Sequence, residues 1–459
     1  MKLRKPSSPC PLLLVSLNML LMLVSLHGVS TAQIILRGHE APVSWAEFSP
    51  DGNVVVTASF DGTAKLWDAT TGDEVRTLGE PGPRLTSACF NEDGTKVMVV
   101  SDMSVILWNA QTGEELFKIE QETRIRDADL SPDETMIVGG LWDSTVRVWD
   151  VATEEERVLR GHTGNLFSTV FNADGTRIAS GGRDSTAIIW DVAEGKLLHR
   201  LEGHTGNVNM VAFSPDGKNV ATAGFDGLAI VWDTETGDSL LVLRGHEARI
   251  RTIHYSYDES HILTAGFDLT ARLWDSKTGD SIVTLRNHSA RLREATFSPN
   301  GRFVVTASED GTGGVWNAKS GARLQQLLGH TGRLSTARFD SAGLRVVTAS
   351  YDSTARIWDV SQAVGVEDQS NEGMRNTLIV RPNLLFRAKA VTRVDCDCDG
   401  EKSRSLEVID LLGNRLHTIR VDTWNESLDL DVTDLVPGTY ILRTQCNGET
   451  IAGFIRLVR

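Results

Sequence analysis

Six histidines in this chain each stand 22 residues before an aspartate, with a hydroxyl four residues before that aspartate and a tryptophan six residues after it. The histidines are His39, His162, His204, His246, His288 and His330. Their aspartates are Asp61, Asp184, Asp226, Asp268, Asp310 and Asp352, and their hydroxyls Thr57, Ser180, Thr222, Thr264, Thr306 and Thr348. Imidazole close to a carboxylate and a hydroxyl is the material of a general base or a metal site. The repetition argues against both. No stretch of 41 or 42 residues holds more than one set, so each belongs to its own structural unit and the sets do not converge on a shared metal or nucleophile. They are expected to be structural: indole, hydroxyl, imidazole and carboxylate can chain hydrogen bonds, so that each buried polar group keeps a partner.

The elements that position these groups follow from the same period. Tryptophan recurs at Trp67, Trp108, Trp149, Trp190, Trp232, Trp274, Trp316 and Trp358, each six residues after an aspartate, with Asp102 and Asp143 completing the eight. A period of this length indicates an array or a propeller. Between tryptophans, short β-branched runs such as Asn219 to Ala223 and Leu228 to Trp232 are split by Phe225-Asp226-Gly227, which predicts strands joined by tight turns. Pro50-Asp51-Gly52 and Thr71-Gly72 supply further turns of the kind that need positive φ. Units two and three lack the histidine and hydroxyl, carrying Glu80 and Met98, then Gln121 and Gly139, and are expected to be the least rigid.

Gly-His, then Asp, then Trp-Asp resembles the signature of the WD-repeat β-propeller family over about residues 33 to 360. The resemblance implies an all-β fold with one four-stranded blade per repeat, the outermost strand lying before the Gly-His of the next unit. Gln33 to Arg37 supplies such a strand ahead of the first unit, and none follows Trp358. An eight-bladed ring closed by the N-terminal strand is therefore expected, which removes the open edges that invite aggregation.

The ends of the chain read differently. Lys2, Arg4 and Lys5 precede an apolar run from Leu12 to Leu26 and then Ser30-Thr31-Ala32, the pattern of a secretory signal peptide over 1–32 cleaved after Ala32. The run is shorter than the ~20 residues of a membrane-spanning helix. Residues 361–376 are polar and acidic and read as a linker. Over 377–459, alternating runs indicate a small β-domain, expected to be an immunoglobulin-like sandwich. Asp410-Leu411-Leu412-Gly413, Leu435-Val436-Pro437-Gly438-Thr439-Tyr440 and a last strand Ile451 to Val458 resemble the C-terminal sorting domain of type IX secretion substrates. That resemblance implies export and delivery to the cell surface by the type IX machinery. An oxidising compartment makes one disulfide plausible there, with either Cys396 or Cys398 pairing Cys446. Asp395, Asp397, Asp399 and Gly400 begin like a calcium loop, but Leu406 stands where the closing Glu is required, which favours a hairpin with outward aspartates.

Net charge is -15, but fourteen of the 61 acidic residues are turn aspartates or aspartates directly following the repeat tryptophans, so the balance says little about partners. Positions that the repeat leaves free are more informative. The residue before each turn aspartate reads Phe60, Ser101, Trp142, Arg183, Phe225, Phe267, Glu309 and Tyr351, five aromatics in eight. A second set lies six and four residues before the residue that ends each innermost strand. It holds Arg84, Arg124, Arg126, Arg249, Arg251, Arg291, Arg293 and Arg333 among sixteen positions, and no acid. In the family these positions face partners on the narrow side of the ring. Arginine and aromatics dominate interface hot spots. The competing expectations are that the aromatics pack between blades and that the arginines pair with acids such as Glu122, Glu247 and Glu294.

The reading is an exported, non-catalytic scaffold that binds a protein or an acidic glycan on that face, with no cofactor and no metal. No nucleophile elbow, phosphate loop or zinc spacing is present. Nucleic acid ranks last, because the sequence has no continuous basic run and no RNA-binding motif. Two other classes compete: an extracellular enzyme working in the central channel, and a structural surface-layer component. Charge reversal at Arg249, Arg251, Arg291 and Arg293 is expected to weaken capture without lowering thermal stability.

Overall fold

The computed structural model describes residues 33–365 and, beyond them, strands at 378–382, 391–396, 404–409, 415–421, 428–431, 438–446 and 449–457. The expected signal peptide lies outside the described residues, as do the side chains of the tail, including the expected cysteine pairing and the remainder of the aspartate-rich hairpin.

Residues 33–359 form eight four-stranded antiparallel sheets. The first seven blades each use four consecutive strands, as in Val43–Phe48, Val54–Ser59, Ala64–Asp68 and Glu74–Leu78 of blade 1. The eighth takes three strands from the end of the propeller and its outermost strand, Gln33–Arg37, from the start. Gln33 pairs with Trp358 and Arg37 with Thr354, so the expected closure of the ring is what the chain does. A one-turn helix, Ser361–Gly365, follows.

Alternation explains why the strands stack as blades. The second strand of each blade is buried on both faces, as in Val54–Ser59 or Phe303–Ser308, because it lies between two neighbouring sheets. Each junction is one apolar layer shared by two blades: Val138, Val146, Val148 and Leu159 of blade 3 pack with Leu166, Phe171, Ile178 and Trp190 of blade 4. The closing seam repeats this with Leu36, Val347 and Ile357 against Val43, Phe48 and Trp67. Six of the repeat tryptophans are among the largest fully buried side chains. Each removes on the order of 200 Å² from water, about 5 kcal/mol of transfer free energy at 25 cal/mol/Å².

Turn chemistry sets the narrow face. Gly62, at φ +87°, follows Asp61, and a Cβ there would meet the Gly82 backbone nitrogen at 2.2 Å. The turn has room only for glycine because the loop entering blade 2 crosses it. The C-terminal unit, residues 367–459, contains a three-stranded and a four-stranded antiparallel sheet among its described residues.

Candidate binding face

The repeated polar sets behave as the spacing predicts. Trp67 Nε1–H donates to Thr57 Oγ1 at 2.8 Å, Thr57 meets His39 Nε2 at 2.8 Å, and His39 Nδ1 meets Asp61 Oδ2 at 2.8 Å. Indole can only donate and carboxylate only accept, so the chain runs in one direction with a neutral imidazole. Burial lowers the pKa of His39, His204 and His330 despite the adjacent carboxylates. Burial alone would raise Asp61, but hydrogen bonds from Thr63 and His39 outweigh it and bring it to about 2. The same arrangement recurs in blades 4 to 8, with indole donating to hydroxyl at 2.8 or 2.9 Å. The hydroxyl and imidazole of these sets are buried and bonded to one another, which ties the tryptophan to the turn.

Blades 2 and 3 solve the same problem with charge. Asp102 takes ion pairs from Arg84 at 2.5 Å and Arg124 at 2.7 Å. In blade 3 Arg147 bridges Asp143 at 2.9 Å and Glu156 at 2.8 Å, and Trp149 Nε1–H donates to Glu156 at 3.0 Å. Gly139 holds the place of the missing hydroxyl because Trp149 fills the space: a Cβ would lie 2.7 Å from its ring.

The two free sets meet on the narrow face. In seven blades the N–H of the residue before the turn aspartate donates to the carbonyl six residues before the end of the innermost strand, as Phe225 to Asn207 at 2.8 Å and Phe267 to Arg249 at 2.9 Å. Within a blade that bond sets Arg124 beside Trp142 and Arg333 beside Tyr351, whereas Arg84, Arg249 and Arg291 reach over the aromatic of the preceding blade. Guanidinium carbons sit over ring centres for Arg124 on Trp142 at 4.5 Å, Arg249 on Phe225 at 4.7 Å, Arg291 on Phe267 at 4.8 Å, Arg333 on Tyr351 at 3.8 Å and Arg84 on Phe60 at 5.7 Å. Phe60 and Tyr351 also meet edge to face across the closing seam at 5.6 Å. Trp142 is 40 % exposed and the other four rings are half-buried. Stacking holds each guanidinium plane without neutralising its charge.

Acids pair these arginines differently from the expectation. Glu294 pairs with Arg338 at 2.8 Å, and Arg293 approaches Glu309 at 3.5 Å. Among the described residues Arg249, Arg291 and Arg333 have no ion pair. Arg183 is exposed on the rim and stands outside the stacks.

The second arginine of each pair lies deeper. In all eight blades the innermost strand carries a β-bulge at this position, between Ile125 and Asp127, between Ile250 and Thr252, and between Leu292 and Glu294, for example. A bulge adds one unpaired residue and re-aims its side chain. Arg126, Arg251 and Arg293 thus line the mouth of the central channel, a cavity of about 470 Å³. The expected single rim is therefore two layers, stacked arginines above and bulge arginines below.

Below the bulges come residues that the repeat pattern did not single out. Asp127 accepts from Thr169 N–H at 3.2 Å, Glu294 from Ala337 N–H at 3.1 Å and Thr336 from Ala46 N–H at 3.2 Å. Innermost strands expose an unpaired edge to the channel, and these side chains satisfy the next blade's backbone. One layer further, Arg338 pairs with Glu47 at 3.4 Å and covers the Trp45 ring at 4.2 Å. Burial raises Glu47, Asp127 and Asp129, the last to about 7. The available signal was charge inside an innermost strand, as in Ile125–Leu130, where Arg126, Asp127 and Asp129 are three of six residues.

Comparison with known proteins defines the class. The chain belongs to the WD domain, G-beta repeat family, whose repeats match residues 30–68, 72–109, 113–150, 153–191, 195–233, 237–275, 279–317 and 321–359. Residues 388–455 match the secretion system C-terminal sorting domain, which marks the chain for secretion and delivery to the cell surface. Over 75 residues the chain is 36% identical to a guanine nucleotide-binding protein subunit beta of Solanum tuberosum, covering 15% of this chain and 20% of that protein. Over 62 residues it is 34% identical to eukaryotic translation initiation factor 3 subunit I of Kluyveromyces lactis, covering 14% and 18%. The chain thus spans about a fifth of the length of these relatives. The crystal structure of the computationally designed Ika8 protein superposes with a TM-score of 0.64 at 28% identity, over 71% of this chain and 98% of that one. No helix among the described residues is long and apolar enough to cross a membrane.

Proposed function

We propose that this protein is a secreted, non-catalytic scaffold that captures an acidic protein partner on the narrow face of its propeller. The observation that carries this reading is the ring of arginines stacked on aromatics, three of them without an ion pair among the described residues. Such cations are held in place yet uncompensated, the condition under which an acidic surface gains most from docking. The channel carboxylates favour binding over chemistry, since Glu294 and Asp127 already bond neighbouring backbone and Glu294 also pairs with Arg338. In the mature chain the signal peptide is removed after Ala32 and the tail engages the type IX secretion machinery.

The test uses Arg249→Glu together with Arg291→Glu, both exposed, and an oligoglutamate peptide with an oligolysine peptide as control. Reversal should weaken oligoglutamate binding by at least tenfold and flatten its salt dependence, while the melting temperature stays within about 1 °C, as expected for surface sites. Binding that ignores the reversal sinks the reading.

A further inference from the structure

The bulge arginines carry more than the rim reading requires. Arg126, Arg251 and Arg293 come from blades 3, 6 and 7, and in a ring of eight, blades 3 and 7 are opposite one another. All three side chains line one cavity at the channel mouth, so arginines from opposite walls face a common space. The nearby acids are engaged elsewhere: Asp102 with Arg84 and Arg124, Glu294 with Arg338 and the Ala337 N–H, Asp127 with the Thr169 N–H. Among the described residues Glu309 makes the one ion pair to this layer, 3.5 Å from Arg293, while Asp127 and Glu294 line the same cavity without a direct bond to the three arginines. Arg251 Nη1 donates to Asn209 at 3.2 Å, while its Nε is sealed from water with no partner. Burial, then Arg126 and Arg293, push the Arg251 guanidinium down to about 9.

We propose that Arg126, Arg251 and Arg293 together bind one compact oxyanion of two or more charges, a phosphate or sulfate group, on the axis of the channel mouth. Three guanidinium groups converging from separate blades match one small, highly charged centre with several acceptor oxygens. A row of single carboxylates suits the wider stacked rim instead. The site deepens the rim reading and rests on it only in that a partner seated on the narrow face would carry the oxyanion.

The test titrates the full chain with inorganic phosphate at fixed ionic strength and follows the heat. Saturable binding of one phosphate is expected, with sulfate competing and acetate not. Arg251→Gln and Arg126→Gln should each weaken it at least tenfold, and Arg249→Glu with Arg291→Glu should change it less than threefold. Arg126 and Arg251 lie on different blades, so local misfolding at one site cannot explain loss at both, and unchanged tryptophan fluorescence checks each fold. No saturable binding, or binding indifferent to both glutamines, overturns the proposal. Phosphate binding that depends on Arg251 while oligoglutamate binding ignores Arg249 and Arg291 upholds this site and rejects the rim reading; the reverse pattern does the opposite.

Discussion

Six blades hold their turn aspartate with a histidine, and two hold it with arginines. The consequence reaches the narrow face. Where histidine occupies the aspartate, as His246 does Asp268 at 2.8 Å, the nearby rim arginines are left with only an aromatic ring for support. Where histidine is missing, Asp102 draws Arg84 and Arg124 into ion pairs. The structural hydrogen-bond chain thus sets the charge presented to a partner, although none of its own atoms need touch one.

The largest effect expected from breaking this contrast is Thr222→Val in blade 5. The swap keeps shape and removes the oxygen that joins His204 Nε2 at 2.7 Å to Trp232 Nε1 at 2.9 Å. Both nitrogens are left buried, at roughly 1–3 kcal/mol each. Denaturant unfolding should show a loss of about 2–5 kcal/mol. A loss under 1 kcal/mol would mean that the six neutral chains hold the blades no better than the charged substitutes do.

That chain was legible in the sequence because its members are locked in spacing. Asp61, His39, Thr57 and Trp67 recur together, and a pattern repeated six times over 22 and 10 residues needs no tertiary information. The closing strand was equally legible, since Gln33 to Arg37 precedes the first unit and nothing replaces it after Trp358. Rim positions could be enumerated from the same register, though not their pairing: Arg249 is tied by its carbonyl to Phe267 of its own blade, yet its guanidinium covers Phe225 of the preceding one, a choice that depends on how neighbouring blades pack. The channel lining was illegible for a different reason. Glu47, Asp129 and Arg338 hold equivalent places and share no residue type, because each answers a local need in the wall. Glu47 pairs with Arg338 of the neighbouring blade and Asp129 bonds the backbone of the next one, so no single repeat reveals them.

Asp129 sharpens the comparison from the side of charge. Burial raises its carboxyl from 3.8 to about 7 in the folded chain, where it accepts from Phe171 N–H at 2.8 Å. Between about pH 4 and 7 the unfolded chain has lost this proton while the folded one keeps it. Folding therefore becomes less favourable as pH rises through that window, and the penalty is complete above about 7. Asp129→Asn keeps an acceptor for Phe171 and removes the charge. The variant should be more stable than its parent by about 1–3 kcal/mol at pH 8, with the gain fading toward zero at pH 4. The lowered histidines His39, His204 and His330 act in the opposite sense, losing stability below 6.5, but they are common to both proteins and cancel in the difference. A gain independent of pH would place the effect in packing and not in the buried charge.

The smallest change in stability tests the link between the two kinds of blade most directly. Asp102→Asn removes the partner of Arg84 and Arg124, whose side chains are 44 % and 25 % exposed, and pairs of this kind contribute about 0–1 kcal/mol. Melting should hardly move. Binding should, because the two arginines would then resemble Arg249 and Arg291, stacked on Phe60 and Trp142 and free of a carboxylate. Oligoglutamate affinity is expected to rise about two- to tenfold at low salt, with the gain shrinking as salt is added. If affinity instead falls, Asp102 serves to orient the two guanidinium groups, and blades 2 and 3 present a pre-aimed pair where the histidine blades present free ones.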